Sequence, residues 1–153
     1  MFKLNPINFA ENLTSMYPIE LTAPMTKDLT DFGFHPLTDP ADVDALLSKE
    51  EGTVLMVVNS VCGCAAANCR PGVKLALHRS EKRPDSLGTV FAGVDPEATA
   101  RAREYFLPYP PSSPAIALFK DGELVHMLER HHIEGRPASM IADNLITAFE
   151  KFC

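Results

Sequence analysis

The sequence predicts a single α/β domain in which helices flank a mixed central sheet. Residues 53–60, TVLMVVNS, form a nearly unbroken apolar and β-branched run, which is typical of a central strand covered on both faces. Predicted helices and strands alternate along the chain. Lys120-Asp121-Gly122 separates two further apolar runs and predicts the turn of an antiparallel hairpin. A chain of 153 residues is long enough to bury a core as one domain.

The first third of the chain supplies two predicted helices before the central strand. Residues 23–34 have apolar side chains at spacings of four and three, and Gly33 ends this extra N-terminal helix. A short extended segment follows. Asp39 and Pro40 then predict the N-cap and first turn of a second helix, which closes at Gly52.

Further helices and strands follow the central strand. The alanine-rich segment after it predicts a helix that carries the cysteines and is kinked near Pro71. Residues 88–95 predict a second buried strand, and Asp95 caps a helix that runs to about Leu107. After the hairpin, Pro137 precedes a last helix with one apolar face.

Composition and charge narrow the possible classes of function. The formal net charge is −6, and the longest basic cluster is the interrupted HRSEKR at 78–83, so we expect no nucleic-acid partner. No apolar run reaches the roughly 18 residues of a membrane span, and the first 20 residues lack a signal-peptide pattern. We therefore expect a cytoplasmic protein with no membrane partner. Residues 1–22 are expected to form an N-terminal extension of a core at 23–153.

Two cysteines separated by one glycine are the most informative feature of the sequence. In a helix, residues two apart have Cα atoms roughly 5.4 Å apart, but about 200° of rotation sends their side chains to opposite sides. A Cys62–Cys64 disulfide therefore requires a turn that is neither helix nor strand, which Gly63 permits. Such a bridge is expected to be strained and easily reduced, and its small loop adds little stability. The pattern indicates thiol–disulfide exchange.

The position of Cys62 favours it as the reactive thiol. It directly precedes a predicted helix, whose free N–H groups and dipole stabilise a thiolate. Cys64 lies within the first turn, so we expect it to be less exposed and to keep an undepressed pKa.

Four segments together resemble the bacilliredoxin family over about Met25 to Cys153. They are VVNSVCGCAAANCRPGV, VFAGVDPEATARAREYF, PSSPAIALFKDGELVHML and ERHHIEGRPASMIADNLITAFEKFC. The resemblance implies a thioredoxin-like fold and the removal of bacillithiol from mixed disulfides on proteins. It implies bacillithiol as a co-substrate, with no metal or organic cofactor. The implied partners are bacillithiolated or disulfide-bonded proteins and a low-molecular-weight thiol.

The resemblance also implies roles for particular residues. Cys62 is the implied attacking cysteine and Cys64 the implied resolving cysteine. Pro114, after Ser113, is implied to be the cis-proline that thioredoxin folds hold beside the active site. Gly63, Ser113 and Pro114 are accordingly expected to contact the substrate.

The two remaining cysteines depart from a simple two-thiol scheme. Cys69 lies seven residues after Cys62, where the family usually has a small or apolar residue. It is either a buried hydrophobic side chain, which we favour, or a third exchange partner. Cys153 is expected to be an exposed thiol on a fraying terminus, and a regulatory or intermolecular role stays open.

Polar residues between the hairpin and the last helix allow two interpretations. His131, His132, Glu134 and Arg136 form either a solvated loop, which we favour, or a contact for a ligand carboxylate. The histidines could complete a zinc site with the cysteines. However, the Cys-x-Cys spacing is tight for two thiolates on one ion, so no metal site is expected.

Two other functions use the same residues. The protein could be an isomerase or oxidase of protein disulfides, since some relatives have been described as isomerases. It could instead be a redox sensor that binds a partner when the Cys62–Cys64 disulfide forms. Comparing activity on a bacillithiolated protein with activity on a scrambled disulfide protein distinguishes an isomerase or oxidase from a bacilliredoxin. A lack of turnover on both substrates indicates a redox sensor.

Overall fold

The computed structural model describes residues 15–153, which form an α/β domain with helices on both faces of a sheet. The predicted N-terminal extension lies in large part outside the described residues. The helices are α1 (Ile19–Thr30), α2 (Pro40–Leu47), α3 (Arg70–Arg79), α4 (Pro96–Tyr105), α5 (Arg130–Ile133) and α6 (Ala138–Phe152), and a π-helical segment, Ala65–Cys69, directly precedes α3. The strands are β1 (His35–Pro36), β2 (Thr53–Asn59), β3 (Ser86–Phe91), β4 (Ala115–Lys120) and β5 (Glu123–Leu128).

The sheet is mixed, as the sequence predicts. Its five strands have the order β1-β3-β2-β4-β5. The pairs β1–β3 and β2–β3 are parallel, whereas β2–β4 and β4–β5 are antiparallel. β2 occupies the centre, and all of its residues are buried. The hairpin turn is confirmed, with positive φ at Asp121 and Gly122.

Side chains of β2 alternate between two separate hydrophobic clusters. Leu55 and Val57 point into one, which includes residues of α3 and α6. Val54, Met56 and Val58 point into the other, which includes residues of α2 and α4. The sheet is therefore the middle of three layers, and each face of the central strand is covered.

Several predicted helix boundaries are wrong. α1 begins at Ile19 and not at residue 23, because the carbonyl of Pro18 already accepts hydrogen bonds from Leu21 and Thr22. α2 ends at Leu47, five residues before the predicted stop at Gly52. α4 ends at Tyr105, close to the predicted end near Leu107, but the predicted cap is wrong, because the Asp95 side chain makes no capping hydrogen bond. The sequence does not predict the one-turn helix α5.

The predicted kink near Pro71 takes the form of a change of helix type. The N–H of Arg70 donates to the carbonyl of Ala65, which gives the five-residue spacing of a π-helix, and the chain then continues as α3. Pro71 lies in the first turn of α3, where its missing N–H is tolerated.

None of the helices within residues 15–153 is long and apolar enough to cross a membrane.

Candidate active site

The cysteine pair lies at the edge of the sheet where β2 ends. β4 runs antiparallel to β2, and Ala115 at its start pairs with Val58 near the end of β2. β5 runs antiparallel to β4, and Leu128 at its end pairs with Ile116. The segments after β2, before β4 and after β5 therefore reach the same edge. This edge holds the predicted cysteines, the predicted proline and the start of α5.

The two thiols converge although they are only two residues apart. Cys62 and Cys64 are reduced and half-buried, and their Sγ atoms lie 2.7 Å apart. The convergence is possible because Cys62 precedes the helical segment, so the opposed directions of an ideal helix do not apply. Ser60 Oγ lies 3.0 Å from Cys62 Sγ and accepts the Cys62 N–H at 3.4 Å.

The pKa of Cys62 is lowered and that of Cys64 is not, as the sequence predicts, but the expectation that Cys64 is the less exposed of the two is wrong, because both residues are half-buried. Burial raises the pKa of Cys62, but hydrogen bonds from Cys64, Ser60 and the Ala65 N–H, together with the charge of Arg130, lower it further than burial raises it. Burial and the interaction with Cys62 raise the pKa of Cys64. The thiolate thus belongs to Cys62. The thiolate is stabilised by these specific neighbours, whereas the sequence predicts stabilisation by the dipole of an α-helix.

Gly63 has no structural need to be glycine in the reduced protein. It is exposed, its φ is not positive, and a Cβ atom at this position would meet nothing within 4 Å. Its predicted role in the turn of the oxidised form and in substrate contact stays a prediction.

The peptide bond between Ser113 and Pro114 is cis, and Pro114 is buried directly before β4. The bond between Leu107 and Pro108 is also cis. The Ser113 carbonyl faces the guanidinium of Arg130, whose Nη1 lies 3.4 Å away. Substrate contact by Ser113 and Pro114 stays a prediction.

Arg130 is a site residue that the sequence reasoning missed. Its backbone N–H donates to Ser112 Oγ at 2.7 Å, and its exposed side chain pairs with Glu134. Its charge acts on both thiols. A signal was available, because Arg130 follows a strand that runs parallel to β2 and so emerges at the edge that holds Cys62. Of the predicted polar cluster, the structure ties Glu134 to the site through this ion pair.

Cys69 is part of the hydrophobic core. Its side chain is fully buried in the hydrophobic cluster between the sheet and α3 and α6, which agrees with the favoured prediction. Burial raises its pKa to about 12, so the thiol stays protonated and is a poor nucleophile.

Cys153 is exposed, but its terminus does not fray as predicted. α6 continues to Phe152, and the Cys153 N–H donates to the Phe149 carbonyl at 2.8 Å. Its thiol lies beside the Thr53 side chain, at the start of β2, and burial raises its pKa. Thr53 and Cys62 lie at opposite ends of the central strand.

The two histidines lie beside Glu129 and apart from buried Cys69. Potential ligand atoms of Glu129, His131 and His132 all lie within 4.8 Å of one another. His132 Nδ1 accepts the Glu129 N–H at 3.0 Å, and the Glu129 side chain accepts the His132 N–H, so both side chains cap α5. Within residues 15–153, no cluster of three potential metal ligands contains a cysteine.

Solved structures of thioredoxins share this fold. A thioredoxin from Schistosoma mansoni has a TM-score of 0.54 at 20% identity, covering 78% of this chain and 95% of that one. A mutant thioredoxin from Halobacterium salinarum has a TM-score of 0.53 at 18% identity, covering 76% and 88%. A thioredoxin fold with a reduced cysteine pair beyond its central strand defines a class of protein, the thiol–disulfide oxidoreductases.

Sequence comparisons identify the family within this class. The family model described as disulphide isomerase matches residues 17–153. A bacilliredoxin from Cytophaga hutchinsonii is 60% identical over 136 residues, covering 89% of this chain and 99% of the relative. A bacilliredoxin from Bacillus cereus is 49% identical over 142 residues, covering 93% and 99%. The chain belongs to the bacilliredoxin family, and it is a thiol–disulfide oxidoreductase.

Proposed function

We propose that this protein removes bacillithiol from mixed disulfides on protein cysteines. The observation that carries the proposal is the pair of opposite pKa shifts at Cys62 and Cys64, whose sulfurs lie 2.7 Å apart. Attack requires a thiolate, and a protonated neighbour remains available as the second thiol. The choice of bacillithiol is supported by relatives named bacilliredoxin.

The reaction proceeds by two exchange steps. First, the Cys62 thiolate attacks the bacillithiol sulfur. A disulfide forms between Cys62 and bacillithiol, and the target cysteine leaves as a thiolate that takes a proton from solvent. Second, Cys64 loses its proton to solvent and attacks Cys62 Sγ, which expels bacillithiol and leaves the Cys62–Cys64 disulfide. Two equivalents of an external thiol reduce that disulfide. These steps use no metal or organic cofactor, and we place them in the cytoplasm.

The charge around the thiols supports an anionic small thiol as the leaving group. Arg130 is exposed and its charge acts on both sulfurs, although the protein as a whole carries a net charge of −6. Bacillithiol carries a malate group, whose carboxylates complement a guanidinium. We assign Arg130 to this contact.

A second candidate function is the isomerisation of protein disulfides, which the description of the matching family model favours. The same thiols would then attack a disulfide between two protein cysteines. The two functions are separated by comparing initial rates on a bacillithiolated protein with the recovery of activity of a scrambled disulfide protein. Turnover on neither substrate, with capture of one partner only by the oxidised form, would instead indicate a redox-sensing interaction protein.

The direct test measures the intact masses of two variants after reaction with a bacillithiolated protein. Cys64→Ala should release the target thiol and then gain the mass of one bacillithiol on Cys62, because attack requires only the first thiolate. Cys62→Ala should release no target thiol and gain no mass. The matched control, Cys69→Ala, should behave as the wild type. A Cys62→Ala protein that removes bacillithiol at the wild-type rate, together with an inactive Cys64→Ala protein, would reverse the assigned roles.

A further inference from the structure

Arg70 is a buried charge that the exchange steps do not use. Its side chain is only 6% exposed, and it is the first residue of α3. A buried guanidinium is costly unless hydrogen bonds and an opposite charge satisfy it. Its Nε pairs with Asp28 of α1 at 3.3 Å, and Asp28 also binds Lys74 at 2.5 Å. The remaining contacts of Arg70 show what the buried charge holds in place.

Those contacts fix the end of β2. Nη1 of Arg70 donates to Asn59 Oδ1 at 2.9 Å and to the Ser60 carbonyl at 3.1 Å. Asn59 Oδ1 also accepts the Ser60 N–H at 2.9 Å, and Asn59 Nδ2 donates to the Met25 carbonyl of α1 at 3.1 Å. Both backbone polar groups of Ser60 are thus held by groups that are themselves anchored to helices.

Ser60 is the residue whose hydroxyl touches the attacking sulfur. Its Oγ lies 3.0 Å from Cys62 Sγ and also accepts the Cys62 N–H. Once the thiol is ionised, the hydroxyl donates its hydrogen to the thiolate. Hydrogen bonds to a charged group depend strongly on geometry, so the orientation of the Ser60 backbone determines how well this bond forms.

We propose that Arg70 is a positioning residue for Cys62, which holds Ser60 through Asn59 and the Ser60 carbonyl so that the Ser60 hydroxyl bonds the thiolate. The proposal rests on the proposed role of Cys62 as the attacking thiol. It also gives α1 a part in the active site, because Asp28 and the Met25 carbonyl anchor Arg70 and Asn59.

A direct effect of the Arg70 charge is a weaker explanation. Arg130 is the cation whose charge lowers the pKa of Cys62, whereas the charge of Arg70 acts on Cys69. Asp28 balances the Arg70 charge at close range. The planar shape of the guanidinium is needed for these contacts, because its Nη1 reaches Asn59 and Ser60 while its Nε reaches Asp28. A lysine ammonium lacks this planar fork.

The test measures Cys62 alkylation by iodoacetamide across a pH series on the full-length reduced protein, with the modified cysteine assigned by tandem mass spectrometry. Ser60→Ala removes the hydrogen bond and should slow alkylation near pH 7 on the order of fivefold. Arg70→Met should slow it comparably, with the titration midpoint shifted to higher pH in both variants. The double variant should be no slower than Ser60→Ala, because Arg70 acts through Ser60.

Two further variants make the result specific. Arg70→Lys keeps the charge but loses the fork, so it should also alkylate more slowly than the wild type. Lys74→Met removes the other cation on Asp28 without touching β2, so its pH profile should match the wild type. The proposal is overturned if Arg70→Lys has the wild-type profile, or if Arg70→Met slows alkylation by the same factor with and without the Ser60 hydroxyl. Because the assay contains no disulfide substrate, it stands apart from the choice of bacillithiol. The Cys62→Ala experiment described under the proposed function separately tests whether Cys62 is the attacking thiol.

Discussion

Cys62 and Cys64 are chemically identical side chains, and their neighbours make them different. Burial raises the pKa of both thiols, but at Cys62 hydrogen bonds from Cys64 and Ser60 and the charge of Arg130 outweigh it, whereas at Cys64 the interaction with Cys62 raises the pKa further. When the pair loses one proton, the negative charge is therefore on Cys62 and Cys64 stays protonated. The proposed order of exchange, in which Cys62 attacks first, rests on this asymmetry, because attack requires a thiolate.

Replacing Arg130 should reduce the reactivity of Cys62 at neutral pH. Arg130→Gln removes a positive charge that lowers the pKa of the Cys62 thiol, so the thiolate fraction near pH 7 falls. Because the charge is exposed, we expect alkylation to slow on the order of threefold. The rate should recover at pH values well above the Cys62 pKa, where the thiol is ionised in both proteins. Added salt should narrow the difference, because it screens exposed charges.

The matched control is Arg136→Gln, which removes an exposed arginine from the segment directly after α5. The charge of Arg136 is not among the influences on Cys62, so its alkylation profile should match the wild type. Equal profiles for Arg130→Gln and the wild type at low salt would contradict the role of Arg130.

The sequence predicts these site residues unevenly, for physical reasons. Cys62 and Cys64 can be identified from the sequence because the Cys-x-Cys spacing by itself indicates thiol–disulfide exchange. Arg130 and Arg70 carry no such mark, because arginine is a common surface residue and its importance depends on which elements meet in space. Arg70 in particular is recognisable only once its burial and its acceptors at the end of β2 are known.

At the scale of elements, the position of the active-site segment depends on how closely α3 packs on α6. A Cβ atom at Gly72 of α3 would lie 2.7 Å from Ile141 Cγ2 and 2.8 Å from Ile141 Cβ, and 3.3 Å from the Ala138 carbonyl oxygen. Glycine thus allows the first turn of α3 to touch α6 directly. Pro71-Gly72 predicts a kink from the sequence alone, whereas the structure shows a close helix contact at Gly72.

Gly72→Ala should therefore destabilise the protein, although alanine is the better helix former. The gain in helix propensity is about 1 kcal/mol, whereas overpacking of a closely packed contact costs about 1 to 3 kcal/mol. We expect a net loss of about 1 kcal/mol in the free energy of unfolding, measured from urea denaturation.

Gly63→Ala is the matched control for this substitution. Its new methyl group would meet nothing within 4 Å, so the stability should stay unchanged or rise by up to about 1 kcal/mol. A Gly72→Ala protein that is as stable as the Gly63→Ala protein would show that α3 and α6 can separate at no cost.

The sequence predicts the central strand more accurately than the helix ends, whereas the second buried strand, predicted at 88–95, is wrong in its bounds and spans Ser86–Phe91. β2 is recognisable because both of its faces are buried, which leaves an apolar run in the sequence itself. The end of α2 at Leu47 and the π-helical segment before α3 depend on tertiary contacts and on which carbonyls find donors. Local residue preferences do not specify them.

At the scale of the whole molecule, the thiol of Cys153 lies far from the Cys62–Cys64 pair. β2 has seven residues and spans about 20 Å, with Cys153 beside its first residue and Cys62 beyond its last. A disulfide requires Cα atoms within about 7 Å, so Cys153 and Cys62 of one folded chain cannot form one. An intermolecular role for Cys153 stays a prediction.

The pH dependence of global stability should contain a contribution from Asp95, between β3 and α4. Its backbone carbonyl accepts the Thr99 N–H at 2.9 Å, but its side chain makes no capping hydrogen bond. A carboxylate at a helix N-terminus is normally favoured by the helix dipole. Here burial prevails and raises the pKa of Asp95 from 3.8 to about 6. Between these two values the folded protein binds more protons than the unfolded chain, so this residue makes stability fall as the pH rises from about 4 to about 6.

Asp95→Asn should remove that decline, because the amide has nearly the same shape and carries no charge to bury. We expect the variant to gain about 1 kcal/mol in the free energy of unfolding at pH 7, a value reduced to allow for the half-exposed position. At pH 3.5 the variant and the wild type should be nearly equal, because the wild-type carboxyl is then largely protonated in the folded state. Urea denaturation at half-unit steps from pH 3.5 to pH 7 measures how the stability of each protein depends on pH.

The matched control is Asp39→Asn at the N-cap of α2, where the side chain accepts the Asp42 N–H at 2.9 Å. Asparagine keeps that acceptor, so we expect little change in stability at pH 7. A wild-type protein and an Asp95→Asn variant with parallel stability curves would show that burial of this carboxyl does not oppose its ionisation.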